Sequence, residues 1–440
     1  MEADRLEPSH WTARYAHKLV DVREAIAKLR SHSRIFIGSG AAQPCSLMDG
    51  LVEYGTALRG VEVVHLLTLG EARYVQPEFS ERFRHKAFFV GANVRAAVQE
   101  GRADFIPVFL SEIPELMRSG RVPIDVALIQ VSPPDRNGYV SLGVSVDIVR
   151  AAADHATTVI AEVNPQMPRT HGDSFIHVDR IHALVPVNRP LLEQVGEPPG
   201  EIERAIAGYV AGLVPNGATL QTGIGKIPDA VMGALSNHQD LGIHTEMLSD
   251  GVMRLAKSGV INGNEKSLLP RKIVTSFVIG SRALYEWVND NPALYFRPSD
   301  FTNDPSVIAR NDNMVSVNSA LAVDLTGQVA SDTVRGKFFS GIGGQVDFVR
   351  GAGRSRGGKS IIALPSTAKQ GSVSRIQAAF EEGAGVVTSR GDVHFVVTEY
   401  GVADLWGRSV RERAQSLVRI AHPSFRDELL RAARERKFVS

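Results

Sequence analysis

The chain has 440 residues, 43% of them hydrophobic and 22% charged, with 49 basic side chains against 48 acidic ones. That length accommodates two domains with substantial cores. The near-balance of charge argues against a broad nucleic-acid or membrane footprint, so any anion site must be local.

The first thirty or so residues mix Glu2, Asp4, Arg5, Glu7, Arg14, Lys18, Asp21 and Arg23 with no apolar segment, and no secretory signal of ordinary form is expected there. No uncharged apolar run approaches the roughly 18 residues of a membrane span, so none is expected. Cys45 is the single cysteine, which excludes an intramolecular disulfide and a cysteine-based zinc or iron–sulfur centre. A reducing, cytoplasmic setting fits, no metal site is expected, and Cys45 reads as structural because no activating partner for its thiol is evident.

Short β-branched runs at Arg34–Ile37, 61–67, Val126–Val131 and Thr158–Val163 read as buried strands, with helical periodicity between them. This alternation predicts a mostly parallel sheet covered by helices. Asn188, Arg189 and Pro190, followed by Gly196, Glu197, Pro198, Pro199 and Gly200, read as a linker, after which the alternation restarts. Two α/β lobes follow, at 1–190 and 201–440.

The restart has the form of a repeat. Ile35-Phe36-Ile37-Gly38-Ser39-Gly40, then Pro44, is echoed by Leu220-Gln221-Thr222-Gly223-Ile224-Gly225, then Pro228; Asp135, Gly138 and Val140 share their spacing with Asp324, Gly327 and Val329. Two matched features in one order point to duplicated lobes, against chance likeness between glycine-rich turns.

In the second lobe, Gly223, Ile224, Gly225, Lys226 and Ile227 join a strand to a helix. Glycines admit a ligand close to the backbone, a helix N-terminus favours an anion, and Lys226 offers a point charge to a phosphate. Gln43 and Pro228 stand where a dinucleotide fingerprint needs its third glycine, which argues against a nicotinamide cofactor. Next, residues 241–253 read as a strand running into Ser249-Asp250-Gly251. Strand alternation would aim His244 and Glu246 to one side, and the turn places Glu246 near a strand's carboxyl end, where open α/β sheets bind ligands. A solvated or ion-paired edge glutamate is the plainer alternative. Asn318 offers an amide to orient a carboxylate, or an ordinary turn or core asparagine. Gly341, Gly343 and Gly344 leave backbone N–H groups able to converge on an oxyanion and leave room for a bulky ligand, unless they form only a flexible loop. His171 and His244 could orient Glu246 or a substrate carboxylate, but the plainer reading, taken here, is of structural histidines.

Taken in order, Asn-Pro-Gln-Met-Pro-Arg-Thr-His-Gly at 164–172, Gly-Ile-Gly-Lys-Ile-Pro-Asp at 223–229, His-Thr-Glu-Met-Leu-Ser-Asp-Gly at 244–251, Gly-Ile-Gly-Gly-Gln-Val-Asp-Phe at 341–348, Leu-Pro-Ser-Thr-Ala at 364–368 and Thr-Glu-Tyr-Gly-Val-Ala-Asp-Leu at 398–405 resemble the acetyl-CoA hydrolase/transferase family. The likeness spans nearly the whole chain and is strongest to the family's 4-hydroxybutyrate and butyrate CoA-transferase branch. It implies two similar Rossmann-like lobes with mostly parallel sheets and the active site between them. It also implies Glu246 as the nucleophile, CoA contacts at Gly223 to Ile227, Gly344 and Lys369, and Ala320 and Leu321 nearby. The implied reaction moves CoA from a short-chain acyl-CoA to a carboxylate such as acetate through a glutamyl-CoA thioester. CoA is then a substrate, no cofactor is tightly bound, and a homodimer is the default assembly. An ionised carboxylate would need no general base. A hydrolase using the same glutamate and a non-catalytic CoA-binding protein are the alternatives.

Overall fold

The computed structural model describes residues 8–440; Glu2, Asp4, Arg5 and Glu7, on which part of the leader expectation rests, lie outside the described residues. The chain divides into two compact units. One contains residues up to Gln194 together with Val274–Thr302, and the other contains Val195–Ile273 and Asn303–Ser440. The second lobe is therefore not the unbroken stretch 201–440 expected above: Val274–Thr302 belongs with the first unit.

The first unit is built on seven strands: β1 (Arg34–Ile37), β2 (Val61–His65), β3 (Phe83–Ala87), β4 (Ala103–Phe105), β5 (Val126–Val131), β6 (Thr158–Val163) and β7 (Ala183–Pro186). They lie in the order β4-β3-β2-β1-β5-β6-β7, and every pairing is parallel. All six residues of β5 are buried, as expected of a central parallel strand covered on both faces. The run expected at 61–67 forms a strand only as far as His65. Helix α1 (Cys45–Tyr54) lays Leu47, Leu51 and Val52 on Ile35, Ile37 and Val63, where the core of this unit lies.

The second unit repeats the plan. Its elements are α2 (Glu201–Ala211), β8 (Thr219–Thr222), α3 (Lys226–Ala234), β9 (Gly242–Ile243), α4 (Asp250–Lys257), β10 (Met314–Ser319), α5 (Gln345–Arg354), β11 (Lys359–Ala363), β12 (Phe395–Thr398), β13 (Gly401–Asp404), α6 (Val410–Ile420) and α7 (Pro423–Glu435). The sheet order is β9-β8-β10-β11-β12-β13, parallel throughout except for the antiparallel edge strand β13. Ser409 and Glu412 cap α6 reciprocally. Leu417 and Ile420 of α6 and Leu429 and Ala433 of α7 then close the core over Ile362 and Val396.

The second echo in the sequence is one turn made twice. Asp135 Oδ1 accepts from the N–H groups of Asn137 and Tyr139, both at 2.9 Å, and Asp324 Oδ1 accepts from those of Thr326 at 2.9 Å and Gln328 at 3.0 Å. Gly138 and Gly327 supply the left-handed residue, with φ of 86° and 92°. Val140 and Val329 then turn inward, fully buried.

Candidate active site of the second unit

In the second sheet β8 has β9 on one side and β10 on the other, so successive connections leave in opposite directions and a crevice opens at the carboxyl ends of β8 and β10. The segments that follow those two ends are Gly223–Lys226 and Ala320–Leu321, both singled out from sequence. Just before the crevice, Gln221 of β8 and Asn318 of β10 bond reciprocally through their amides, at 3.3 and 3.2 Å. Asn318 is thus tied to a neighbouring strand as well as placed near the crevice.

Gly225 adopts φ 114° as the residue before α3, and added Cβ atoms on Gly223 and Gly225 would meet nothing within 4 Å. This turn is open, with Ile224 42% exposed and Ile227 buried beneath it. Lys226 is not a free cation: its Nζ lies 2.7 Å from Glu197 Oε2, and this pairing raises the pKa of Lys226 and lowers that of Glu197. The charge that Lys226 would offer a phosphate is already shared with a carboxylate.

Glu246 follows β9. It does not continue the strand, as alternation suggested, but sits in a bend between β9 and the short strand Met247–Leu248. His244 stays buried beneath it, its ring 6.3 Å from that of Phe348 on α5. Part of the Glu246 residue surface is still exposed, yet protein encloses its carboxyl, and burial pushes the pKa up to about 7 against the opposing effect of a hydrogen bond from Asn303. Loss of water around the charge outweighs the donor.

That donor is Asn303 Nδ2, 2.6 Å from Glu246 Oε2, on a side chain with no exposed surface. Asn303 was not foreseen: it lies 57 residues further along the chain, in a Thr-Asn-Asp-Pro stretch that reads as an ordinary turn. On the other side stands Gly344, the residue before α5. A Cβ built there would overlap Glu246 Oε2 and Asn303 Nδ2, so only glycine lets the helix start this close to the carboxylate. Gly343, at φ 58°, makes the preceding left-handed turn, and Gly341 is buried. The glycine segment and Glu246 are therefore brought together.

Leu321 and Lys369 meet elsewhere in this unit, in a cleft of about 220 Å³ also lined by Val334, Arg335, Arg375 and Glu381. Three cations, one anion and apolar walls suit a phosphorylated ligand with an apolar body. Gly223–Ile227 and Glu246 are not part of this lining. Ala320 is buried beside it, its carbonyl accepting from Arg375 Nη1 at 3.1 Å. Two of the sequence motifs explain each other. Glu399 accepts from the Ser366 N–H at 2.8 Å and from its hydroxyl at 2.5 Å, so 364–368 and 398–405 form a structural latch.

Residues of the first unit singled out earlier have structural partners. His171 pairs with Asp290 at 3.0 Å, and burial raises the pKa of the Cys45 thiol, which disfavours a reactive thiolate. Among the described residues no cluster of three or more His, Cys, Asp or Glu side chains is suited to a metal, and no helix is long and apolar enough to cross a membrane.

Two α/β units, one of them with a switch-point arrangement and an enclosed carboxylate against a helix start, define an α/β protein of the ligand-binding kind. The profile of the acetyl-CoA hydrolase/transferase N-terminal domain matches residues 2–193, and that of the C-terminal domain matches 280–433. The chain is 50% identical to the 4-hydroxybutyrate coenzyme A transferase of Clostridium kluyveri over 97% of this chain and 99% of that protein. It is 45% identical to the succinyl-CoA:acetate/propanoyl-CoA:succinate CoA transferase of Fasciola hepatica, over 94% and 87%. The solved structure of a 4-hydroxybutyrate CoA-transferase from Porphyromonas gingivalis superposes with a TM-score of 0.84 at 41% identity, covering 97% of this chain and all of that one. The chain belongs to the acetyl-CoA hydrolase/transferase family.

Proposed function

We propose that this protein is a CoA-transferase that moves coenzyme A from a short-chain acyl-CoA to a carboxylic acid, with Glu246 as the nucleophile. The observation that carries the reading is the Glu246 carboxyl, enclosed beyond β9, held by Asn303 and set against Gly344 at the start of α5. A carboxylate of raised pKa is a stronger nucleophile than an exposed one, and at about 7 a large fraction is still ionised at neutral pH.

A Glu246 oxygen attacks the acyl carbonyl of the thioester, the carbon–sulfur bond breaks, and CoA thiolate leaves a mixed acyl-glutamyl anhydride. The thiolate then attacks the glutamyl carbonyl and releases the first acid as its carboxylate. The resulting glutamyl-CoA thioester is attacked by the acceptor carboxylate, and the two steps run in reverse to regenerate Glu246. No proton changes hands, which matches a site without a catalytic histidine or cysteine. Each tetrahedral oxyanion needs a donor, and the backbone N–H groups at the Gly343–Gly344 turn are assigned this role; one well-aimed donor contributes about 3 to 4 kcal/mol.

The cationic cleft at Arg335, Lys369 and Arg375 supports binding of the phosphorylated part of CoA. Binding energy gained there, away from the reacting carbonyl, can be expressed in the transition state. The names of the relatives support 4-hydroxybutyryl-CoA as a donor, with butyryl- and acetyl-CoA in the same class, and acetate as an acceptor. CoA is a substrate on this reading and no cofactor is tightly bound. A homodimer in the cytoplasm completes it, supported by the commonness of twofold assemblies and by a chain with one cysteine.

Mass spectrometry of the peptide containing Glu246 after incubation with acyl-CoA tests the assignment, and a CoA adduct on Glu246 is the expected result. Adding acetate should discharge it with stoichiometric formation of acetyl-CoA. A label on another residue, or free CoA accumulating whether or not acetate is present, overturns the proposal.

A further inference from the structure

One face of the second sheet, the face covered by α5, carries buried polar side chains that the transfer reaction does not use. Thr219 opens β8 and pairs in register with Gly242 of β9 and Met314 of β10, while Ser316 follows Met314 on the same side of β10. Met314 packs with Phe348 of α5, which fixes the side concerned. Lys266, in the loop after α4, lays its stem across this spot. A Cβ built on Gly242 would lie 3.2 Å from both Lys266 Cδ and Thr219 Oγ1, so the absence of a side chain at 242 lets the lysine approach the threonine.

Lys266 is 2% exposed, and Thr219 and Ser316 have no exposed surface. Lys266 Nζ, Thr219 Oγ1 and Ser316 Oγ each have no hydrogen-bond partner in the protein. A lone buried polar atom is uncommon and costly; a lysine nitrogen whose stem lies beside an unpartnered threonine hydroxyl, with an unpartnered serine hydroxyl on the same face of the adjoining strand, points to an occupant. Burial alone depresses the Lys266 pKa, to about 7, with no carboxylate among the described residues acting on it. The donors available are an amine or ammonium and two hydroxyls, and what complements such a set is a small acceptor.

We propose that Lys266, Thr219 and Ser316 form an internal binding site for a small hydrogen-bond acceptor, a water molecule or a halide ion. The occupant ties the loop after α4 to β8 and β10 across β9, the strand whose continuation bears Glu246. It is separate from the arrangement of Glu246, Asn303 and Gly344 assigned to the transfer chemistry.

Diffraction from crystals of the full chain, with and without a bromide soak, is the test. The halide form gives an anomalous peak within hydrogen-bonding reach of Lys266 Nζ, with a melting temperature that rises in chloride relative to gluconate at equal ionic strength and ceases to do so in Lys266→Met. The water form gives a non-anomalous peak joining Lys266 Nζ to Thr219 Oγ1, a melting temperature indifferent to the anion, and loss of that peak in Thr219→Val. Lys266 bonded to a protein carbonyl, turned out to solvent, or facing no density at all overturns the proposal. Thr219→Val, being isosteric, keeps the test open if Lys266→Met does not fold.

Discussion

Replacing Glu246 with glutamine should abolish transfer and at the same time stabilise the protein in a pH-dependent way. Glutamine keeps the shape and can still accept from Asn303 Nδ2, but it carries no charge. In the folded chain burial lifts the carboxyl from its ordinary 4.5 to about 7, so the folded state binds this proton more tightly than the unfolded state does. Ionisation therefore works against the fold. Stability linked to this group is full below 4.5, declines as pH rises toward 7, and stays diminished above that. Two and a half pH units correspond to about 3 kcal/mol at alkaline pH and less than about 1 kcal/mol near pH 5. For a cooperative unit of roughly 200 residues that amounts to a rise in Tm of about 6–12 °C near pH 8.5. Scanning calorimetry of both proteins across this range reads the difference directly. A gain of equal size at pH 5 and pH 8.5, or a loss at both, would refute the idea that an enclosed charge at 246 is held at the fold's expense.

Gly344→Ala inserts a methyl where Glu246 Oε2 and Asn303 Nδ2 lie, and should lower kcat by about 100-fold or more with little change in CoA binding, checked by steady-state kinetics and calorimetric titration. Asn303→Leu removes a hydrogen bond that opposes the upward shift at Glu246, so the acidic limb of activity should move to higher pH, visible in a kcat profile; an unmoved profile counts against the contact. In the first unit, His65 and His85 stack at 4.2 Å and burial lowers both pKa values, that of His85 to about 4. Stability there is full above 6.5 and should be lost as pH falls through that value toward 4, a limb that His85→Phe should flatten in acid denaturation curves.

What sequence reveals depends on where each group's partners lie. Strands β1, β5 and β6 are legible because buried faces on both sides demand mostly apolar, β-branched runs. Strand β3 reads Phe-Arg-His-Lys-Ala and gives no such signal, because Arg84 and Lys86 are satisfied by Asp104 and Glu62 on neighbouring strands, and His85 is buried against another histidine. Glu246 is legible as a carboxylate at a strand's end. Its raised pKa is not, since enclosure is a property of the fold, and Asn303 reaches it only through tertiary structure. The same limit applies to Lys226, whose charge is held by Glu197 of the linker.

The excursion of Val274–Thr302 into the first unit bears on how the chain can be made and cut. As the polypeptide leaves the ribosome, the first unit cannot complete itself until these residues have emerged, by which time much of the second unit's early sequence is already outside and waiting for its own later strands. A truncation at the apparent boundary near 194 would therefore yield two incomplete pieces, and a cleavage site engineered there should leave the halves associated.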